Sequence, residues 1–168
     1  NDDIEIKNNL STIQNRIQTM ALVHEYLYNS GNFESVEAYS YIQTLANHLK
    51  AIYKQEHKII KQNINIDLAI QLPIEQIISL GLIVNEILSN AYKYAFNDEK
   101  GTKIEILLVQ INKLIILEIS DDGPGFSKSQ IKEDSLGLKL IEIMCAQIKA
   151  TLKTSTTNGV KYIIEFEI

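Results

Sequence analysis

The sequence predicts an α+β fold, a two-layer α/β sandwich with a mixed, mostly antiparallel sheet. Helices cover one sheet face, and a long helix precedes the sandwich. Three observations predict it: a heptad-spaced apolar series opens the chain, later stretches repeat with helical period, and the second half alternates with period two in paired segments. The element order is helix, helix, strand, helix, hairpin, loop, helix, hairpin, which is not a Rossmann alternation.

In the first stretch Ile6, Leu10, Ile13, Ile17, Met20, His24 and Leu27 fall at intervals of four and three. That is a heptad seam, suited to a helical hairpin or a dimeric bundle. Asn29-Ser30-Gly31-Asn32 ends it. Ser35 is placed to cap a second helix over about 36–55, with Tyr39, Ile42, Leu45, Ala46, Leu49, Ile52 and Tyr53 on its apolar side. Ile60, Gln62, Ile64, Ile66 and Leu68 read as a strand. Pro73 opens a helix to about Ala95, apolar nearly all round from Ile77 to Leu88 and hence central. Lys103–Ile111 and Lys113–Ser120 form a hairpin around Asn112, and 121–133 is a loop. Helical period returns over 135–150, and a last hairpin turns at Asn158-Gly159.

Composition narrows the function classes. The 168 residues are 45% hydrophobic and 22% charged, as in globular chains. A net charge of −5, with one arginine (Arg16) among 16 basic residues, argues against a duplex-binding module, so no nucleic-acid partner is expected. No apolar run approaches the ~20 residues of a membrane span, so no membrane contact is expected. The chain begins at Asn1 without a charged-then-apolar leader, and no signal peptide is read there. The single cysteine, Cys145, reads as a small buried residue; a reducing, cytoplasmic location follows as an expectation.

Three stretches carry candidate chemistry. In Asn85-Glu86-Ile87-Leu88-Ser89-Asn90-Ala91-Tyr92-Lys93-Tyr94, Glu86, Asn90 and Lys93 share one face of a helix. A carboxylate and an amide on an apolar helix should line a cavity or hold a cation, and that oxygen set suits Mg²⁺. A solvated stripe is the other reading. In Ser120-Asp121-Asp122-Gly123-Pro124-Gly125-Phe126 a carboxylate at a strand end precedes two glycines, where it can accept a hydrogen bond from an amino group. Alone, this is also an ordinary acidic turn. In Asp134-Ser135-Leu136-Gly137-Leu138-Lys139-Leu140 a capped helix start with an early glycine makes a phosphate site, or merely a cap.

Taken in order, these stretches resemble the N, G1 and G2 boxes of the ATP-binding fold shared by sensor histidine kinases, gyrase, Hsp90 and MutL. With Arg16–Tyr28, Gly81-Leu82-Ile83-Val84-Asn85-Glu86 and the closing Gly159, the chain from about Arg16 onward resembles the catalytic part of a bacterial sensor histidine kinase of the short-lid subclass. The resemblance implies a protein-histidine kinase using ATP and Mg²⁺. Residues 1–32 would be the second helix of the dimerisation hairpin, and 33–168 the ATP-binding domain. Asn90 would ligate Mg²⁺, and Glu86 would orient or activate the accepting imidazole or position metal-bound water. Lys93 would contact phosphate and Tyr94 would pack near the nucleotide. Asp121 would read adenine N6, with Gly123 and Gly125 shaping the pocket floor. Gly137 and Leu138 would offer backbone N–H groups to the phosphates. Implied partners are the chain's own upstream phosphoacceptor helix, a second copy in a homodimer, and a response regulator receiver domain.

Three departures from the pattern stand out. Asp122 replaces the usual Asn and adds negative charge near the adenine, Val160 replaces the usual Thr, and the lid 127–134 carries Lys128 and Lys132 but no Arg. His24 lies on the seam and reads as structural; His48 and His57 have no support as acceptors. Lys7-Asn8-Asn9-Leu10 matches part of the subclass acceptor motif, but Ile4 fills the histidine slot. The spacing to Arg16 leaves no room for a helical hairpin, so the acceptor is expected upstream of the chain. Two rivals remain: a non-catalytic scaffold with the same fold, against which the retained box residues argue, and a serine kinase of the anti-sigma type, against which the heptad helix argues.

Overall fold

Alternate residues of three long strands point to one side. In β4 (Lys103–Ile111), β5 (Leu114–Asp121) and β7 (Lys161–Glu167), these are Ile104, Ile106 and Leu108, then Ile115, Leu117 and Ile119, then Tyr162, Ile164 and Phe166, all buried. The structure is a computed structural model that describes residues 10, 13, 14, 16–22, 25, 35–54, 58–96, 101–126 and 136–168. The remaining elements are β1 (Ser35–Glu37), α1 (Ala38–Ile52), β2 (Lys61–Ile66), β3 (Gln71–Pro73), α2 (Ile74–Asn90), α3 (Leu136–Gln147) and β6 (Thr151–Ser155). The sheet runs β2-β4-β5-β7-β6, antiparallel except for the parallel pair β2–β4. Its other face carries the ion pairs Lys161–Glu118 and Lys153–Glu165, so the sandwich has the two layers the alternation requires.

Helix α2 is the spine of the helical layer, with Ile77, Leu80, Ile83, Val84, Ile87 and Leu88 all buried. The apolar stripe of α1 (Tyr41, Ile42, Leu45, Leu49) and Ile141 and Cys145 of α3 join the same core. Burial raises the Cys145 thiol to about 11, as expected of an inert buried cysteine. Asn112 turns the β4–β5 hairpin with φ 57°, a conformation asparagine tolerates well.

Two local expectations are corrected. Ser35 does not cap a helix: 35–37 pairs antiparallel with Gln71–Pro73, and α1 begins at Ala38. A three-residue strand is too short to show a period, and Pro73 serves both as its partner and as the entry to α2. The long helix also does not run unbroken to Ala95, because Ala91–Ala95 is a π-helical turn. The helix stop at Asn29–Asn32, His24, His57, Lys7–Asn9 and the 127–135 region with its lysines and cap lie outside the described residues.

Residues 16–22 are helical, and the seam on them faces outward: Ile13, Ile17 and Met20, with Leu10, are 45–62% exposed. The opposite side packs inward through Thr19 and the half-buried Leu22. Gly81 of α2 permits this layering. A methyl there would overlap the hydroxyl and ring of Tyr41, whose hydroxyl donates to the Thr19 carbonyl at 3.4 Å. Gly81→Ala is therefore expected to destabilise the protein by about 1–3 kcal/mol, the usual cost of overpacking. Urea denaturation measures it, and an unchanged midpoint would show that Tyr41 yields freely.

Candidate active site

An isolated carboxylate in a helix as apolar as α2 would be strongly disfavoured. Glu86 is only 3% exposed, and it is not isolated. The Arg16 guanidinium grips it with a fork: Nε donates to Oε1 at 2.7 Å and Nη2 to Oε2 at 2.9 Å. Asn85 Nδ2 donates to Oε1 at 3.3 Å, while Asn85 Oδ1 accepts from Thr19 Oγ1 at 3.2 Å. The hydrogen bonds it donates to Glu86 hold the guanidinium pKa above its ordinary value, against the opposing effect of burial. One turn on, Asn90 ends α2 on the same face. Gly137, in the first turn of α3, lies directly over both side chains. A Cβ there would stand 2.9 Å from Glu86 Oε2 and 3.7 Å from Asn90 Nδ2. The first and third sequence stretches therefore meet.

The second stretch meets the π-turn that follows α2. Gly123 abuts Ala95, and a Cβ on it would come within 2.6–2.9 Å of the Ala95 side chain and backbone. Asp121 Oδ1 accepts from the backbone N–H groups of Gly123 at 2.9 Å and Val160 at 3.3 Å. Among the described residues no hydrogen bond to Oδ2 is present. Burial raises the Asp121 pKa, the two N–H donors oppose this, and the Asp122 charge adds a smaller upward push. Tyr162 rises to about 12, chiefly by burial and then by the Asp121 charge. Gly159, at φ 84°, packs against the Asp121 carbonyl so closely that any side chain would collide with it.

Asp122 points elsewhere. Its Oδ1 accepts from the Thr102 and Lys103 N–H groups, each at 2.7 Å, and pins the start of β4. Gly125 (φ 69°) packs on the Thr156 carbonyl, tying the loop after β5 to the final hairpin. Lys93 lies in the π-turn, and its ammonium lies 5.9 Å from the centre of the Tyr53 ring. Tyr94 is 69% exposed and Leu138 is partly buried against the core. Glu86, Asn90 and Gly137 thus converge at one end, and Asp121, Gly123 and Gly125 at the other. Arg16, Thr19 and Asn85 at the first end were not among the expected site residues. The signal was present: a lone arginine in a lysine-rich chain marks a place where a planar fork is needed.

Residues 62–159 match the family described as histidine kinase-like ATPase domain, and residues 1–53 match one described as histidine kinase. Sensor histidine kinase ComP of Bacillus subtilis is 30% identical over 99 residues, covering 58% of this chain and 12% of ComP. Blue-light-activated histidine kinase 2 of Erythrobacter litoralis is 22% identical over 164 residues, covering 94% of this chain and 46% of that protein. The chain therefore spans less than half the length of either relative. The histidine kinase domain of the Erythrobacter litoralis EL346 blue-light-activated kinase superposes with a TM-score of 0.83 at 21% identity, covering 93% of this chain and 74% of that one. By the match over 62–159, more than half its length, the chain belongs to the histidine kinase-like ATPase domain family, which implies nucleotide binding.

Proposed function

We propose that the chain is the ATP-binding catalytic part of a two-component sensor histidine kinase. Residues 1–32 contribute the second helix of a dimerisation hairpin and 33–168 the ATP-binding unit. The γ-phosphoryl group passes to a histidine on a helix upstream of this chain, and onward to a response regulator receiver domain. The supporting observation is the contact of Gly137 with Glu86 and Asn90, which sets a helix start over a carboxylate and an amide. The names of the relatives, all histidine kinases, favour this over the scaffold and serine-kinase readings.

Each residue has a role that its placement supports. The N–H groups at the start of α3, Gly137 and Leu138 among them, receive the phosphates. Asp121 accepts the adenine amino group, with Gly123 and Gly125 keeping the loop close to the base. Lys93 and Tyr94 lie on the turn between the two ends. Among the described residues no group of three His, Cys, Asp or Glu side chains is arranged to hold a metal. Asn90 would supply one amide oxygen to Mg²⁺, and the ion would serve to neutralise phosphate charge. A bond forms from the imidazole nitrogen to the γ-phosphorus as the bond to the bridging oxygen breaks. ADP leaves with that electron pair, and Glu86 takes the imidazole proton. No described helix is long and apolar enough to cross a membrane, and a cytoplasmic site of action is part of the proposal.

The test supplies labelled MgATP to the chain together with its upstream segment. Acid-labile label on that segment is the expected result. Acid-stable label on a partner's serine would shift the reading to the serine kinase, and no nucleotide binding at saturating Mg²⁺ would sink it.

A further inference from the structure

We infer that Arg16 is a positioning residue that holds Glu86 in a non-transferring arrangement, so that undocking of the N-terminal helix switches the catalytic carboxylate on. The inference rests on the proposed role of Glu86 as proton acceptor. To take a proton from an imidazole, Glu86 needs one oxygen that is both free and reachable. Here both oxygens are engaged. The Arg16 fork occupies Oε1 and Oε2, Asn85 adds a second donor to Oε1, and Gly137 shields Oε2.

The contact surface suits a releasable latch. Residues 16, 19 and 22 form one stripe of the helix, and its described contacts include three polar ones: the Arg16 fork, the bond from Thr19 to Asn85 and the bond from the Tyr41 hydroxyl to the Thr19 carbonyl. The Arg16 side chain keeps 22% of its surface in solvent, so its guanidinium can be rehydrated when the helix leaves. The apolar seam, Leu10, Ile13, Ile17 and Met20, lies on the other side of the helix and stays exposed. A hairpin partner can occupy the seam while Arg16 remains docked, and undocking of the helix from α2 withdraws Arg16 from Glu86.

The experiment compares autophosphorylation by the full-length protein containing this chain with that of its Arg16→Gln, Arg16→Lys, Thr19→Val and Glu86→Gln variants. Hydrogen exchange is followed at residues 16–22. If the released state is ~10% populated in the parent, Arg16→Gln raises the rate about tenfold. It does so with an unchanged KM for MgATP and faster exchange at 16–22. Arg16→Lys, which keeps the charge but not the fork, falls between. Thr19→Val, which removes the bond to Asn85 but leaves Arg16, shifts the rate in the same direction. Rates that stay level or fall in Arg16→Gln and Thr19→Val, while exchange quickens and MgATP still binds, overturn the inference. Undiminished transfer by Glu86→Gln overturns the role of Glu86 itself, and the latch with it. Loss of transfer in Glu86→Gln without acceleration in Arg16→Gln overturns the latch alone.

Discussion

Asn90→Ala is expected to weaken MgATP binding about 10- to 100-fold while leaving the fold intact. The proposed Asn90 contact is to an ion that also binds the phosphates, and hydrogen bonds or ligations involving charged groups are worth about 1.5–3 kcal/mol each. Glu86 is held by Arg16, and the described residues contain no acidic cluster to replace the amide. Stability should hardly change, because Asn90 is only partly buried at the last position of α2. Calorimetric titration with MgATP, beside a urea melt of the free protein, separates the two quantities. Unchanged affinity would remove Asn90 from the site, and a collapsed melt would mean that its role is structural.

The outcome depends on a geometry only half of which periodicity can show. Glu86 and Asn90 sit four apart, so a helix of any length puts them on one face. The glycine that covers them is 47 residues further on, and its arrival follows from how α3 packs on α2, a tertiary fact outside any local window. The alternation in β4, β5 and β7 is legible because one sheet face is buried and the other is wet, which leaves a strict period of two. Ser35–Glu37 is too short for that, and its pairing depends on Pro73 across the chain. The π-turn at Ala91–Ala95 has no periodic signature, because it adds one residue within a single turn. Its packing against Gly123 is what joins the two ends of the site. The docking of Arg16 could not come from the heptad either: the seam defines the apolar side of the first helix, whereas Arg16 acts from the other.

Asp121→Asn is expected to lower MgATP affinity about 10- to 100-fold and to make the free protein more stable at neutral pH. Both effects come from one carboxylate. Oδ1 is taken by the N–H groups of Gly123 and Val160, and an asparagine oxygen can keep both bonds. The second position then carries an amide NH₂, a donor facing the donor amino group of adenine. A hydrogen bond to a charged group is lost and a repulsive pair replaces it, and 1.5–3 kcal/mol corresponds to that range of affinity. The stability effect has the opposite sign. Burial raises the Asp121 pKa in the folded state above its unfolded value, so folding favours the protonated form. The stability lost to ionisation appears as pH rises from the ordinary carboxylate value through the raised one, and persists above it. Below that window wild type and variant should melt alike; above it the variant should melt higher. Scanning calorimetry of both proteins across the acidic range, with titration of MgATP at neutral pH, reads the two predictions separately. A stability gain independent of pH would refute burial as its cause. Unchanged affinity would refute contact with the amino group. A loss of affinity accompanied by a pH-dependent gain in melting temperature identifies Asp121 as a charge kept for its ligand at the fold's expense.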